Sequence, residues 1–380
     1  MHTHTPRQLD LFTGTGSLGL AVENVFGATT TAYAEFEPHL DPVLQALFPD
    51  VPNLRDVTTA NWDHAGGVEI ITNGSPCTDI SVLGRRAGMG PDTRSGLWSS
   101  TCTAITHLEP DYVVWENVRG ALSTRTAAGA DMRALGRVLA DLHTLGYDAQ
   151  WHVVKASDIG APHGRARVFL LAHRRTTATL RPQGDLFAYY TVADSWAKPT
   201  TGAYTQPWPA NGAMIDGHAY HARPVPPVWS PLPVLRTPVS SEAGGGPLSI
   251  TAAAARGQTL RLTGQILSLW HPGVLPETEG TTLRAPGWHE YAPAIHRWEG
   301  IMGREHPAPT IPGRTRPRLN PVFAEWMVGL EHGHITNPAH GLTHKQMLAG
   351  AGNIAVRQQA EHGIGHMHAN LIAAPAELAA

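Results

Sequence analysis

Only two cysteines occur in this 380-residue chain, and one of them stands in a setting suited to chemistry. Cys102 falls in an apolar, helix-like stretch, where a cysteine is usually a small buried hydrophobic residue. Cys77 follows Pro76 in the polar segment 74–81, directly after the strand-like run 68–72. A thiolate exposed at the end of a strand could act as a nucleophile. Two cysteines also argue against a disulfide framework.

Charged side chains follow two further strand-like runs. Glu116 ends the apolar run 111–115, and a carboxyl group against apolar neighbours has a raised pKa, which suits it to hold or donate a proton. The alternative is a strand-end glutamate that faces solvent. Arg165 and Arg167 precede the apolar run 168–172 and, two residues apart on a strand, share one face. Both can therefore address the same ligand.

A glycine-rich turn follows the first strand-like run of the chain, Leu9–Phe12. Small residues at such a turn let backbone N–H groups approach a ligand closely. Turns also need glycine for their own geometry, and a dinucleotide site would look similar. The candidate cofactor-binding residues of this turn are Phe12, Gly14, Gly16 and Ser17.

Three side chains beyond the turn favour an adenosyl ligand. Glu35, at the end of the next strand-like run, could bind ribose hydroxyls, and Phe36 could stack on an adenine ring. Asp56 could accept a hydrogen bond from the adenine amino group. A surface charge would explain Glu35 or Asp56 alone, but their order after a glycine turn favours the ligand.

The elements that must position these residues form an alternating series. From residue 7 to about 173, short β-rich runs alternate with amphipathic helical stretches, which predicts a parallel sheet with helices on both faces. Such sheets bind ligands at the carboxyl ends of their strands. The candidate residues stand at these ends, so we expect them to converge on one edge of an α/β sheet.

The chain changes character from about residue 180 to 320. Nine prolines fall between Pro199 and Pro238, with Trp208 and Trp229 among them. A disordered linker is one interpretation, but the tryptophans favour a folded domain of irregular structure. Helical periodicity returns at Phe323–Leu330 and again at 342–359.

Composition sets further bounds. A hydrophobic content of 42% is typical of a soluble globular protein, and no apolar run approaches the roughly 18 residues of a membrane span. The start does not look like a signal peptide, so we expect a cytoplasmic protein. A net charge of −3 argues against a wholly basic nucleic-acid coat, although arginines cluster at 165–175 and 304–318. The 22 histidines lack zinc-site spacing, and we expect no metal site.

In order and separation these segments resemble the DNA cytosine-5 methyltransferase family, in a form similar to phage and actinobacterial members. The resemblance spans residues 9 to about 175 and 318 to about 358. Ser75, Thr78 and His163 depart from the usual family residues. The matching segments are Pro76-Cys77, Arg94–Leu97, Glu116-Asn117-Val118, His163–Arg167, Leu319–Gly329 and Gly352-Asn353.

The resemblance implies a class I S-adenosylmethionine-dependent methyltransferase sheet, which is Rossmann-like, and S-adenosylmethionine as methyl donor. Cys77 would attack carbon 6 of a flipped-out cytosine, Glu116 would bind ring N3, Arg167 would hold O2, and Arg165 would support the Cys77 loop. The remaining implied cofactor-binding residues are Val57, Pro76, Leu97 and Asn353. The implied DNA-binding residues are Ser81, Asn117, Arg314, Arg316 and Arg318.

For the domains, we expect residues 1–180 and 325–380 to form the catalytic domain and residues 181–324 a smaller target-recognition domain, with double-stranded DNA in the cleft between them. We expect a monomer. The recognition sequence is not readable from irregular loops, and the sequence leaves open whether a cognate restriction endonuclease accompanies the chain.

Three rival functions follow from the same residues. A nucleotide-dependent oxidoreductase would use the glycine turn and Glu35, but it leaves Cys77, Glu116 and the paired arginines unexplained. A catalytically silent DNA-binding module would not need both Cys77 and Glu116. A methyltransferase acting on transfer RNA is the third rival, and the long segment 181–324 is more easily interpreted as a DNA-recognition domain.

Overall fold

A computed structural model describes residues 4–76, 96–123, 134–175, 207–240, 242, 261–269, 287–313 and 317–373. An eight-stranded sheet organises this part of the chain, in the order β2-β1-β3-β4-β6-β5-β7-β8. Its strands are β1 (Arg7–Leu11), β2 (Thr29–Ala34), β3 (Ile70–Asn73), β4 (Tyr112–Val118), β5 (Tyr147–Lys155), β6 (Ala166–Arg174), β7 (Asn211–Ile215) and β8 (His218–His221).

The helices of the described residues are α1 (Ser17–Phe26), α2 (Asp41–Leu47), α3 (Gly96–Leu108), α4 (Ala134–Thr144), α5 (Leu262–Ser268), α6 (Ala292–Met302), α7 (Pro321–Met327), α8 (His344–Asn353) and α9 (Arg357–Ala373). A short antiparallel pair, β9 (Thr310–Ile311) and β10 (Arg318–Leu319), stands apart from the main sheet. None of the helices in the described ranges is long and apolar enough to span a membrane.

The sheet is mixed, which corrects the expectation of a parallel sheet. Strands β1 to β4 are parallel, whereas β6 pairs antiparallel with both β4 and β5. The reason is the short connection 156–165 between β5 and β6, because a parallel return needs a crossover of about a dozen residues or more. β6 therefore turns back and inserts between β4 and β5.

Helices cover both faces of the sheet, as the alternating pattern predicts. On one face, Val22 of α1 and Ile364 of α9 pack in one cluster with Val114 of β4. On the other face, Ile105 of α3 and Leu139 of α4 share a cluster with the β4 and β6 residues that point the other way. This two-sided burial fixes the strand ends that carry the candidate site.

Part of the range assigned to a recognition domain belongs to the main sheet. β7 pairs with β5, and β8 pairs with β7. Close contact explains a glycine here, since a Cβ on Gly212 would lie 2.1 Å from the Trp151 ring. Trp208 is buried edge-on against Trp151. The two-domain division stays a prediction, with residues 211–221 placed in the sheet.

A second hydrophobic core joins the middle of the chain to its C-terminal helices. Trp298 of α6, Phe323 and Trp326 of α7 and Leu348 of α8 are buried together there. Local signals start these helices: the Asn320 side chain caps α7, and Thr343 forms a capping box that starts α8. The predicted helical stretch 342–359 is found as α8 and the start of α9.

Candidate active site

The ends of β3 and β4 are tied together by buried amide side chains. Asn73 donates to the Thr101 hydroxyl (2.6 Å) and accepts from the Ser75 backbone N–H (2.8 Å). Asn117 donates to the Ser75 carbonyl (3.3 Å) and accepts from the Val118 backbone N–H (2.9 Å). These bonds hold the chain that leads into Pro76 and on to Cys77. Asn117 is buried, and its assignment to DNA contact stays a prediction.

Glu116 and Arg167 form a nearly buried ion pair beside this loop. Glu116 Oε1 lies 2.7 Å from Arg167 Nε, and both side chains are almost entirely enclosed. The register of the sheet brings them together, because Arg167 is paired with Val118, two residues along the strand from Glu116. Burial raises the pKa of the Glu116 carboxyl, and the positive charges of Arg167 and Arg165 oppose that rise. The net pKa is raised, as the sequence predicts.

Arg165 is held by the C-terminal part of the chain. Its Nη1 donates to the Gly352 carbonyl (2.9 Å), and its own carbonyl accepts from Gln359 Nε2 (2.9 Å). His163 accepts from the Arg165 backbone N–H (3.3 Å) at Nδ1, and its Nε2 bonds the Met327 carbonyl (3.0 Å). Burial lowers the pKa of His163 to about 3, so the neutral ring connects the two segments. The expected support of the Cys77 loop by Arg165 stays a prediction.

The glycine turn after β1 has left-handed backbone at three positions. Gly14 (φ 58°) and Gly16 (φ 83°) meet this requirement without a side chain. Phe12 (φ 57°) adopts the same region at a cost that an aromatic residue rarely bears, and such strain concentrates at functional sites. Ser17 is buried with its hydroxyl 3.3 Å from that of Thr15. The turn then opens directly into α1.

Glu35 connects this turn to the end of β2. Its Oε2 accepts from the Gly14 N–H (2.7 Å) and its Oε1 from the Glu37 N–H (2.8 Å). Burial raises the pKa of Glu35, and the two backbone donors counteract the rise. Phe36, next in sequence, is 67% exposed, an unusual setting for a phenylalanine. A buried carboxylate thus lies beside an uncovered aromatic ring.

Asn53 holds both acidic candidates in place. Its Oδ1 accepts from the backbone N–H of Glu35 (3.0 Å) and of Arg55 (2.9 Å), and its Nδ2 donates to the Glu35 carbonyl (3.2 Å). Arg55 has left-handed backbone (φ 65°) and leads into Asp56, whose Oδ1 accepts from the Thr58 N–H (2.9 Å) and hydroxyl (2.7 Å). One asparagine therefore sets the spacing between Glu35 and Asp56.

Other candidates have different surroundings. Val57 is a core residue, and Leu97 packs half-buried against the same core. Pro76 and Asn353 are exposed, and Arg318 is exposed on β10. Their assigned ligand contacts stay predictions. Cys77, Thr78, Ser81, Arg314 and Arg316 lie outside the described residues.

Several residues that hold the candidate site in place carry no signal in the sequence. Asn53 and Gln359 were not singled out, since single amides carry no motif, and Asp10 was included in the strand before the glycine turn without a role of its own. Asp10 accepts from the Thr72 hydroxyl, and its Oδ2 has no hydrogen-bond partner within the described ranges. A Cβ on Gly19 would lie 2.6 Å from that oxygen. Their positions become apparent only when the strands are paired.

The comparison with protein families shows to which family the chain belongs. The model of the family described as C-5 cytosine-specific DNA methylase matches residues 7–203, just over half of the chain. The chain belongs to this family. The region matched by the family contains β1 to β6, and therefore includes the glycine turn, the Glu116–Arg167 pair and Cys77.

Curated relatives of this methylase are similar over the same region. The type II methyltransferase M.NlaIV of Neisseria lactamica is 28% identical over 185 residues, which is 47% of this chain and 42% of the relative. The type II methyltransferase M.CviJI of Paramecium bursaria Chlorella virus IL3A is 29% identical over 170 residues, 44% of this chain and 43% of the relative. The matched stretch thus spans less than half of each relative.

Solved structures resemble the methylase over nearly its whole length. The Dnmt2 methyltransferase of S. pombe has a TM-score of 0.54 at 14% identity, covering 96% of this chain and 99% of its own. A DNMT2 variant of Spodoptera frugiperda has a TM-score of 0.51 at 12% identity, covering 97% and 100%. At this identity the likeness concerns the fold alone, which is that of the S-adenosylmethionine-dependent methyltransferases.

Proposed function

We propose that this chain transfers a methyl group from S-adenosylmethionine to carbon 5 of a flipped-out cytosine in double-stranded DNA. The observation that carries the proposal is the buried Glu116–Arg167 pair, with N and O 2.7 Å apart, at the sheet edge beside the loop that leads to Cys77. A carboxyl group with a raised pKa can give a proton to the cytosine ring, and a fixed guanidinium can hold the carbonyl oxygen of that ring.

The chain offers a fitting site for the donor. Each carboxylate oxygen of Glu35 accepts one backbone N–H and keeps capacity for a ribose hydroxyl. The exposed ring of Phe36 can stack on adenine, and Gly14 and Gly16 let the ligand approach the backbone. Asp56 would accept from the adenine amino group. Bound here, S-adenosylmethionine would supply an electrophilic methyl group on a positively charged sulfur that leaves as the neutral thioether.

Cys77 would start the reaction. Its thiolate would add to carbon 6 of cytosine and form a C–S bond, while the electron pair of the 5,6 double bond moves onto carbon 5 and toward N3. Glu116 would give its proton to N3, and Arg167 would hold O2, so that negative charge does not build up on the ring. Carbon 5 then has the electron density to take a methyl group.

Release reverses the first step. Loss of the carbon-5 proton to a base would restore the double bond and expel the Cys77 thiolate, and Glu116 would recover its proton from N3. Because these ring atoms lie inside the duplex stack, the nucleotide must first be flipped out, at a cost of roughly a few kcal/mol. We propose that the recognition domain within residues 181–324 and Arg314, Arg316, Arg318 and Ser81 supply DNA contacts that offset this cost.

A mechanism-based trap tests the proposal. Duplex DNA that carries 5-fluorocytosine at the target should give a covalent adduct, because fluorine on carbon 5 cannot leave as a proton does. The adduct should form with wild type and with the matched thiol variant Cys102→Ser, and should disappear in Cys77→Ser. An adduct in Cys77→Ser would refute the assignment of the nucleophile.

The acceptor and donor are tested separately. Bisulfite sequencing of DNA from cells that express the chain should reveal methylated cytosines within one sequence context. Methyl transfer to transfer RNA but not to duplex DNA would contradict the proposed substrate. Thermal stabilisation by NAD but not by S-adenosylmethionine would instead favour an oxidoreductase.

A further inference from the structure

Glu325 on α7 is fully buried and binds one short loop with all its hydrogen-bonding capacity. Its Oε1 accepts from the Gly333 N–H (2.8 Å) and the Thr336 hydroxyl (3.0 Å). Its Oε2 accepts from the N–H groups of Ile335 (2.8 Å) and Thr336 (2.9 Å). Four donors compensate the burial of this charge. The loop 333–336 is therefore held rigidly against α7.

His334 lies between the bound N–H groups of Gly333 and Ile335, so its backbone is fixed on both sides. The His334 side chain reaches across to the glycine turn, where Nε2 lies 2.7 Å from the Thr15 carbonyl. Since a carbonyl only accepts, the ring nitrogen is the donor. Burial lowers the pKa of His334, and the neutral ring suffices for this bond.

The Thr15 carbonyl, which accepts this bond, belongs to the peptide group at the end of the glycine turn. Gly16 supplies the N–H of the same peptide, which donates to the Thr13 carbonyl (2.8 Å). Gly16 is also the N-cap of α1, and no side chain caps that helix. Glycines at 14 and 16 leave the backbone free to adopt other conformations. The His334 bond restrains the one end of this peptide that the turn itself does not hold.

We propose that His334 is a positioning residue for the S-adenosylmethionine site, and that Glu325, through the loop 333–336, holds it against the Thr15 carbonyl. The inference rests on the proposed function. A turn that is ordered before the ligand arrives spares the ligand the cost of ordering it. Residues from the C-terminal part of the chain would thus set the affinity of a site built by its first strands.

Two substitutions separate the donor from the ring. His334→Phe keeps the ring and removes the donor, and should raise the Kd for S-adenosylmethionine about 3- to 10-fold, the loss expected for one hydrogen bond. His334→Gln places an amide donor at the reach of Nε2 and should restore the Kd to within about twofold of wild type. The single-turnover rate at saturating S-adenosylmethionine and the Kd for duplex DNA should stay unchanged.

A matched control lies on α8. His344 Nε2 makes the same type of bond to the Leu319 carbonyl (3.0 Å) on β10, outside the glycine turn. His344→Phe should leave the Kd for S-adenosylmethionine unchanged. If His334→Phe does not fold, His334→Asn, whose shorter amide cannot reach Thr15, replaces it.

The possible results are distinct. A loss in His334→Gln without a loss in His334→Phe would mean that ring shape, not the donor, matters, and would overturn the inference. Equal losses in both variants would mean that a restored donor does not restore affinity, and would overturn it too. An unchanged Kd in every variant would overturn it as well. If wild type itself binds no S-adenosylmethionine, the proposed function fails first and this inference fails with it.

Discussion

Three buried carboxyl groups lie near the ends of β1, β2 and β4, and each has different partners. Glu116 faces arginines, Glu35 accepts backbone N–H groups, and Asp10 accepts the Thr72 hydroxyl. Burial raises the pKa of all three. Of these three groups, only Glu116 pairs with a nearly enclosed cation, Arg167. Glu116 is therefore the candidate for proton transfer to a substrate ring.

Replacing Glu116 with Gln should slow methyl transfer by about 100-fold or more, the usual contribution of a positioned acid. The amide can still bond to N3 but cannot give it a proton. The measurement is the single-turnover rate with both ligands saturating. As a control, Glu361→Gln disrupts the Arg357–Glu361 pair (2.9 Å) on the surface of α9 and should leave the rate unchanged. A wild-type rate in Glu116→Gln would refute the proton transfer.

Asp10 should make stability depend on pH. Burial raises its pKa from 3.8 to about 7, so between about pH 4 and 7 the folded state binds a proton that the unfolded chain has lost. The free energy of unfolding should therefore fall as pH rises through this window, by roughly a few kcal/mol at most, and level off above it.

Urea denaturation of wild type and Asp10→Asn at pH 5, 6, 7 and 8 measures this effect. The asparagine cannot ionise, so the decline with pH should be shallower in the variant. Glu35 and Glu116 shift in the same direction and are present in both proteins, which makes the difference specific to Asp10. Parallel curves would contradict the prediction.

At the scale of elements, the Asn53 side chain holds the two ends of the loop after β2 that carry Glu35 and Asp56. Three hydrogen bonds from its amide fix Glu35 and the strained backbone at Arg55. Asn53→Ala should therefore raise the Kd for S-adenosylmethionine about 10-fold or more, because both acidic contacts lose their spacing. Isothermal titration would measure it.

Asn61→Ala is the matched control for that change. The Asn61 side chain caps the neighbouring 3₁₀ turn by accepting from the Asp63 N–H (3.1 Å), and among the described residues it makes no hydrogen bond to Glu35 or Asp56. Its loss should lower stability slightly and leave the Kd unchanged. Equal effects of the two substitutions would indicate general destabilisation rather than loss of spacing.

Local patterns predicted the elements better than their arrangement. Short β-rich runs located β1 to β4, and closely spaced glycines located the turn, because one strand or turn determines its own pattern. The insertion of β6 between β4 and β5 depends on pairing between distant segments, which periodicity does not encode. Glu116 and Arg167 were predicted separately, and only the antiparallel register places them in contact.

At the scale of the whole molecule, the C-terminal segment holds residues 154–165 of the candidate site in place. Met327 and Gly352 supply carbonyls to His163 and Arg165, and Gln359 donates to the Val154 and Arg165 carbonyls. The closing Gly352-Asn353 segment was predicted to complete the cofactor pocket. The observed contact of Gly352 with Arg165 could not be predicted, because every residue has a backbone carbonyl and the residue type does not show which carbonyl is used.

Gly352 tests how closely this segment must approach. A Cβ there would lie 2.2 Å from the Ser240 backbone nitrogen, so Gly352→Ala must displace backbone and should lower the free energy of unfolding by about 1–3 kcal/mol. The shift should also move the carbonyl that Arg165 binds and reduce activity. Denaturant unfolding and methyl transfer are the two measurements.

Gly300 provides the opposite case. It lies in α6, and a Cβ there would meet nothing within 4 Å among the described atoms. Gly300→Ala should therefore raise the free energy of unfolding by about 0.5–1 kcal/mol, since alanine favours the helix. Destabilisation by Gly300→Ala would contradict the prediction that an uncrowded glycine in this helix can be replaced with gain.

The contacts of Arg165 with Gly352 and Gln359 have a consequence for synthesis. A ribosome that has synthesised residues 1–175 has made Cys77, Glu116 and both arginines, yet the Met327 and Gly352 carbonyls that bond His163 and Arg165 are still untranslated. Copies of the chain that lack the C-terminal segment should therefore not methylate DNA. Under the proposed function, methyl transfer would begin only once the segment that contains Met327, Gly352 and Gln359 has been made and has folded against residues 154–165.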